Sequence, residues 1–184
     1  SDLSYDRLHC AAYEPFVFYP SRIDEMKRQR LLVEAARYMR SDLRILIAGS
    51  GNGNEAAVLA QMIRDYRLAK RVLLLGHVPE EDKVDYLARC TAVYCGAYDE
   101  DYGYVTLEGM FSEKPVVTHT DSGGSLEFVR DGYNGYVVEP HARALSERLD
   151  ELARDPQRVR QFGLRGRETL AEKRVSWDHV IATL

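Results

Sequence analysis

Short, nearly unbroken apolar runs alternate with amphipathic stretches along most of this chain. Pro15–Pro20 (PFVFYP), Leu43–Ala48 (LRILIA), Val72–Leu75 (VLLL), Ala92–Ala97 (AVYCGA) and Pro115–His119 (PVVTH) are rich in β-branched and aromatic residues, which predicts strands. These runs do not alternate apolar with polar, so helices are expected to cover both faces of the sheet. Between them apolar residues recur at helical spacing. Arg28–Met39 places Leu32, Ala35, Ala36 and Met39 on one face, and Glu55–Leu68 does the same with Ala56, Leu59, Ala60 and Ile63. Pro79–Arg89 opens with a proline and two acids, suited to a first helical turn. Val105–Phe111 and Leu126–Val129 are shorter candidates, the latter closed by the turn signal Asp131-Gly132, and Ala142–Arg154 and Gln157–Lys173 form a helical last third.

Repeated strand–helix alternation means βαβ units, hence an α/β fold with helices on both sides of a mostly parallel sheet. Ligands of such sheets bind beyond the carboxyl ends of the strands. The loops to examine are therefore Ser21–Lys27, Gly49–Asn54, Gly76–Val78, Tyr98–Gly103 and Thr120–Ser125.

Composition narrows the classes. With 184 residues, 45% hydrophobic and 29% charged, the chain is the size of one globular domain. A net charge of −4 gives no basic face for nucleic acid. No apolar run approaches the roughly 20 residues of a membrane span, and the opening SDLSYDRLHCAAYEP lacks the order of a secretory signal. Cys10, Cys90 and Cys95 are odd in number and show no metal or redox spacing, so they are expected to be reduced core residues in a cytoplasmic protein.

The loops carry the chemistry. GSGNGN (49–54) follows a strand and opens a helix, but Asn54 stands where the dinucleotide fingerprint needs its third glycine, and no acid closes the following strand. Gly49 and Gly51 are read either as a tight turn or as a close approach to a nucleotide. SRIDEMK (21–27) offers Arg22, a planar fork, and Lys27, a point charge, both suited to a diphosphate or simply to solvent. In EDYGYVTLEGMFSEKPVV (100–117), a helix starting near Tyr104 would aim unpaired N–H groups beyond the strand ends, where anions bind. Gly103 clears the approach, with Glu100 just outside the helix and Glu108 about one turn inside. Paired carboxylates can also serve hydrolysis, hold a metal or form a solvated cluster; His119 lacks partner spacing for a metal.

Taken in order, four segments resemble the C-terminal, donor-binding domain of retaining family 4 (group 1) glycosyltransferases. They are PSRIDEMKRQRLLVEA, ILIAGSGNGNE, RVLLLGHVPEEDKVDYLARCTAVYCGA, and EDYGYVTLEGMFSEKPVVTHTDSGGSLEFVRDGYNGYVV with seven residues between its two glutamates. The resemblance implies one Rossmann-like half of a two-domain GT-B enzyme. It makes residues 1–14 an extension or linker and 15–184 the nucleotide-sugar domain; the acceptor domain, with its catalytic histidine and any membrane contact, is missing, so this fragment would be inactive alone. It further implies that Arg22 and Lys27 neutralise the departing diphosphate, that Glu100 accepts hydrogen bonds from sugar hydroxyls, and that Glu108 holds the ribose. Backbone N–H groups of Tyr102, Gly103, Tyr104 and Val105 would meet sugar and diphosphate, and Gly49, Gly51, His77 and Val78 would line the nucleoside pocket. No divalent metal is implied. Ser21, Arg28 and Asp101 stand where the family often has glycine. The alternatives are a dinucleotide-dependent oxidoreductase domain, a non-catalytic interaction module of the same fold, and a nucleotide-sugar epimerase. Trp177 is expected to be a packing anchor.

Overall fold

The computed structural model describes residues 14–51 and 53–175. Six strands form one sheet: β1 (Phe16–Pro20), β2 (Arg44–Ala48), β3 (Val72–Gly76), β4 (Ala92–Cys95), β5 (Val116–His119) and β6 (Gly135–Val138). They are all parallel, in the order β3-β2-β1-β4-β5-β6. The helices are α1 (Gln29–Ala35), α2 (Gly53–Asp65), α3 (Glu80–Arg89), α4 (Tyr104–Phe111), α5 (Ala142–Arg154) and α6 (Pro156–Glu172).

Side-chain alternation along each strand divides the core into two layers. Val17, Tyr19, Ile45 and Ile47 point toward α1, α2 and α5, where they meet Leu32, Leu59 and Leu145. Phe16, Phe18, Leu46 and Val93 point the other way, onto Val84 and Leu87 of α3. Farther along that face, Cys95 and Val116 pack with Leu107 and Met110 of α4 and Leu170 of α6. Every residue of β1, β4 and β5 is buried, which accounts for their unbroken apolar runs. The three-layer αβα expectation is met.

Starting from β1, the chain builds outward through β2 and β3, then returns to build β4, β5 and β6 on the other side. The order reverses between β1 and β4, so the loops leaving their carboxyl ends diverge and open a crevice.

Three expectations need correction. A sixth strand, Gly135–Val138, lies in DGYNGYVV, whose glycines and asparagine signal a turn; a Cβ at Gly135 would stand 2.0 Å from the Val116 carbonyl oxygen, so the pairing with β5 requires glycine. The helix expected at Leu126–Val129 is instead a 3-10 turn over Gly124–Glu127. The helix expected from Arg28 begins at Gln29, because Glu25–Lys27 form a separate 3-10 turn and Arg28 is left-handed at φ 56°. For a non-glycine residue that conformation costs about 1–2 kcal/mol. Cys90 and Cys95 are free and buried, and burial pushes the Cys90 thiol up to about 12. Cys10 and Trp177 lie outside the described residues.

Candidate functional site

The loop after β1 is fixed from beneath by buried polar groups. The Tyr19 hydroxyl donates to the Lys27 carbonyl at 2.8 Å, and burial raises its pKa well above the ordinary phenol value, so it stays a donor. Buried Gln29 donates its amide to the Arg22 carbonyl at 2.8 Å, and the Asp24 carboxylate caps the 3-10 turn through the Met26 N–H at 3.0 Å. From this platform Lys27 reaches Glu100 of the loop after β4, Nζ to Oε1 at 2.7 Å. Among the described residues the Arg22 side chain is held only by Asp24 at 3.2 Å, and it is 72% exposed.

Glu100 is positioned by backbone. It bridges to Gly123, and its carbonyl accepts from the Gly124 N–H at 2.6 Å. Side chains at these glycines would collide, a Cβ at Gly124 lying 2.4 Å from the Asp101 carbonyl oxygen. Gly103, at φ 59°, then starts α4, and its carbonyl accepts from the N–H groups of Thr106 and Leu107. Those of Tyr104 and Val105 have no partner within the helix and face the crevice end. Arg22, Lys27, Tyr98, Glu100, Tyr102 and Tyr104 line a cleft of about 450 Å3, in which the rings of Tyr102 and Tyr104 stack at 5.6 Å.

Glu108 lies one turn into α4, buried, with Lys83 of α3 on its carboxylate at 2.7 Å; Lys83 also meets Glu80 at 2.9 Å. Burial raises the Glu108 carboxyl, and Lys83 opposes that rise. Burial works against the Lys83 ammonium too, but Glu108 and Glu80 outweigh it and hold Lys83 above its ordinary value. With two carboxylates on one ammonium, Lys83 stays charged.

The structure thus gathers Arg22, Lys27, Glu100, Tyr102 and Tyr104 around one cleft, with Gly103 and Val105 at the helix start and Glu108 a turn below. The glycine-rich turn sits beside it. Cβ atoms at Gly49 and Gly51 would lie 2.1 and 2.5 Å from the carbonyl oxygens of Ser21 and Ile23, so close packing on the β1 loop accounts for both glycines without a ligand. A second cleft of about 480 Å3 separates Arg22 from Ser50, Gly51 and Asn54. His77 and Val78 follow β3, two strands from β1, and line neither cleft. His119 is a core residue: the Val138 carbonyl at 3.0 Å accepts from Nδ1, and Nε2 accepts from the Tyr94 hydroxyl at 2.7 Å. Burial lowers its pKa and keeps it neutral.

Sequence reasoning missed three partners: Tyr19, Lys83, and the fork of Arg28 on Asp121, with both N–O distances 2.6 Å. Lys83–Glu108 and Arg28–Asp121 span 25 and 93 positions, which no local pattern signals. The Arg28 hydrogen bonds hold the Asp121 carboxyl below its ordinary value. A depressed folded-state pKa adds stability above the unfolded pKa, about 4, and that stability is lost as pH falls through the folded value. Asp121→Asn should therefore lose stability less steeply below about pH 4 than wild type in acid titrations at fixed urea; an unchanged slope would contradict this.

Residues 10–169 match the family described as Glycosyl transferases group 1. The poly(ribitol-phosphate) alpha-N-acetylglucosaminyltransferase of Staphylococcus aureus (strain COL) is 30% identical over 165 residues, 87% of this chain and 32% of that protein. The alpha-maltose-1-phosphate synthase of Mycolicibacterium smegmatis is 31% identical over 181 residues, 90% of this chain and 45% of that one. The chain therefore spans less than half the length of these relatives. A mutant of S. aureus TarM, solved with fondaparinux, alpha-GlcNAc-glycerol and UDP, superposes at TM-score 0.83 with 27% identity, over 94% of this chain and 35% of that one. The C-terminal domain of a group 1 glycosyl transferase (LpcC) from Francisella tularensis shares the fold at TM-score 0.79 and 22% identity, covering 88% of this chain and 87% of that domain. On the extent of the family match, this chain belongs to the group 1 glycosyl transferases.

Proposed function

We propose that this chain is the donor-binding half of a retaining, metal-independent glycosyltransferase that takes a nucleoside-diphosphate sugar. The observation that carries the reading is the meeting of Lys27 and Glu100, from loops after β1 and β4, beside the start of α4 at the β1/β4 crevice. A solved relative with UDP bound, TarM, supports the nucleotide class.

In this reading the diphosphate takes Lys27 and the loosely held Arg22, with the N–H groups at the start of α4 facing the same charge. Glycosyl transfer builds positive charge on the sugar and negative charge on the departing diphosphate. Preorganised cations and amides aimed at the departing group lower that barrier, a good donor contributing about 3 kcal/mol. They supply the charge that a divalent metal would otherwise bring. Glu100, released by Lys27, accepts from sugar hydroxyls, and Glu108, held by Lys83, accepts from the ribose. Gly49, Gly51, His77 and Val78 are assigned to the nucleoside side. The acceptor comes from a separate N-terminal domain, in a cytoplasmic enzyme, and residues 15–184 alone do not transfer sugar. Among the described residues no helix is long and apolar enough to cross a membrane, so any membrane contact is assigned to that other domain.

Calorimetry with UDP, GDP, ADP and their sugars tests this. At least one is expected to bind, and Glu108→Gln to weaken it about tenfold by removing a charged acceptor. Silence across the whole panel, or tight binding of NAD(H) instead, would sink the reading.

A further inference from the structure

Arg28 does not line the cleft, yet its contacts tie the two loops that do, after β1 and β4, to a third loop after β5. It follows Lys27 directly. Its guanidinium forks onto Asp121, after β5, and lies 5.1 Å from the ring centroid of Tyr98, after β4. Backbone closes the triangle: the Tyr98 N–H donates to the Met26 carbonyl at 2.8 Å, and the Asp99 N–H to the Asp121 carbonyl at 3.0 Å. Lys27 and Glu100 therefore project from segments that one guanidinium pins to each other.

The backbone makes this arginine costly. At φ 56° the cheapest residue is glycine, which carries no Cβ penalty and no side chain to order. The strain is sustained by what the side chain holds.

We propose that Arg28, through its fork on Asp121, is a positioning residue that sets where Lys27 presents its ammonium to the donor diphosphate. The inference rests on the donor-site reading above. Positioning and mere stabilisation part company here, because glycine relieves the strain while deleting the fork.

The test titrates UDP, GDP and ADP separately into the 184-residue chain and its variants, with thermal unfolding alongside. Arg28→Gly is expected to bind the preferred nucleotide about tenfold more weakly while melting within about 3 °C of wild type. Arg28→Lys should fall between, since an ammonium keeps the charge without the planar fork. Asp121→Asn, which leaves residue 28 intact, should show a similar loss and guards against a folding defect in the glycine variant. Adding Lys27→Ala to Arg28→Gly should cost less than Lys27→Ala costs alone, because both act on one contact. Wild-type affinity in Arg28→Gly and Asp121→Asn, or strictly additive losses with Lys27→Ala, overturns the positioning role. Wild-type protein that binds none of the three nucleotides removes the donor-site reading, and this inference with it.

Discussion

Lys27→Ala is expected to weaken nucleoside-diphosphate binding by about 100-fold or more. Two losses combine. The cation that would meet the phosphates disappears, and Glu100 is left beside them without its counter-charge. Both side chains are about four-fifths covered, 22% and 21% exposed, so water cannot fully screen the stranded carboxylate. Removing one partner of such a pair typically costs 2–5 kcal/mol, roughly 30- to 5000-fold in affinity. The second loss can be separated from the first. Lys27→Ala combined with Glu100→Gln removes the repulsion and should recover part of the affinity. An alanine variant within threefold of wild type, or a double variant no tighter than the single one, would refute the assignment.

Gly49→Ala is expected to lower stability by about 3 kcal/mol or more, shifting the melting temperature by roughly 10 °C. Its φ of +153° lies where side chains are strained, and the added Cβ would stand 2.1 Å from the Ser21 carbonyl oxygen and 2.7 Å from the carbon. Retreat is blocked, since the Gly49 N–H donates to the Gly76 carbonyl at 2.7 Å and joins the ends of β2 and β3. Gly53→Ala is the internal control. It opens α2 with nothing within 4 Å of its Cβ position and should be neutral or slightly stabilising. Equal melting temperatures for the two variants would remove the packing explanation for Gly49.

Much of the fold is legible in the residues themselves, because a doubly covered sheet writes its strands as continuous apolar runs. β1, β2, β3, β4 and β5 were readable on that ground. β6 was not: it has four residues, one a glycine demanded by close approach to β5, and its neighbours carry turn chemistry. The start of α1 misleads for a related reason, since Arg28 has good helix propensity but sits left-handed, held by a partner 93 positions away. The site follows the same division. Arg22, Lys27 and Glu100 could be picked out because their loops follow strands, and loops after parallel strands converge, while Glu108 stood out through its spacing from Glu100 across the start of α4. What each side chain touches in the folded chain, Glu100 for Lys27 and Lys83 for Glu108, depends on how helices and loops from distant segments come to rest, and that information is not local.

The crevice also coincides with the thinnest seam of the sheet. β1 and β2 are in register over five residue pairs, from Phe16 with Arg44 to Pro20 with Ala48. β1 and β4 are in register over two, Val17 with Ala92 and Phe18 with Val93. A partial opening that parts β3-β2-β1 from β4-β5-β6 breaks the fewest ladder bonds here, although side chains of one core layer, Tyr19 on Tyr94 among them, still cross the seam. Lys27 stands on one side and Glu100 on the other. A ligand that engages both works as a staple across the boundary, so occupancy of the site and cohesion of the whole sheet are linked quantities.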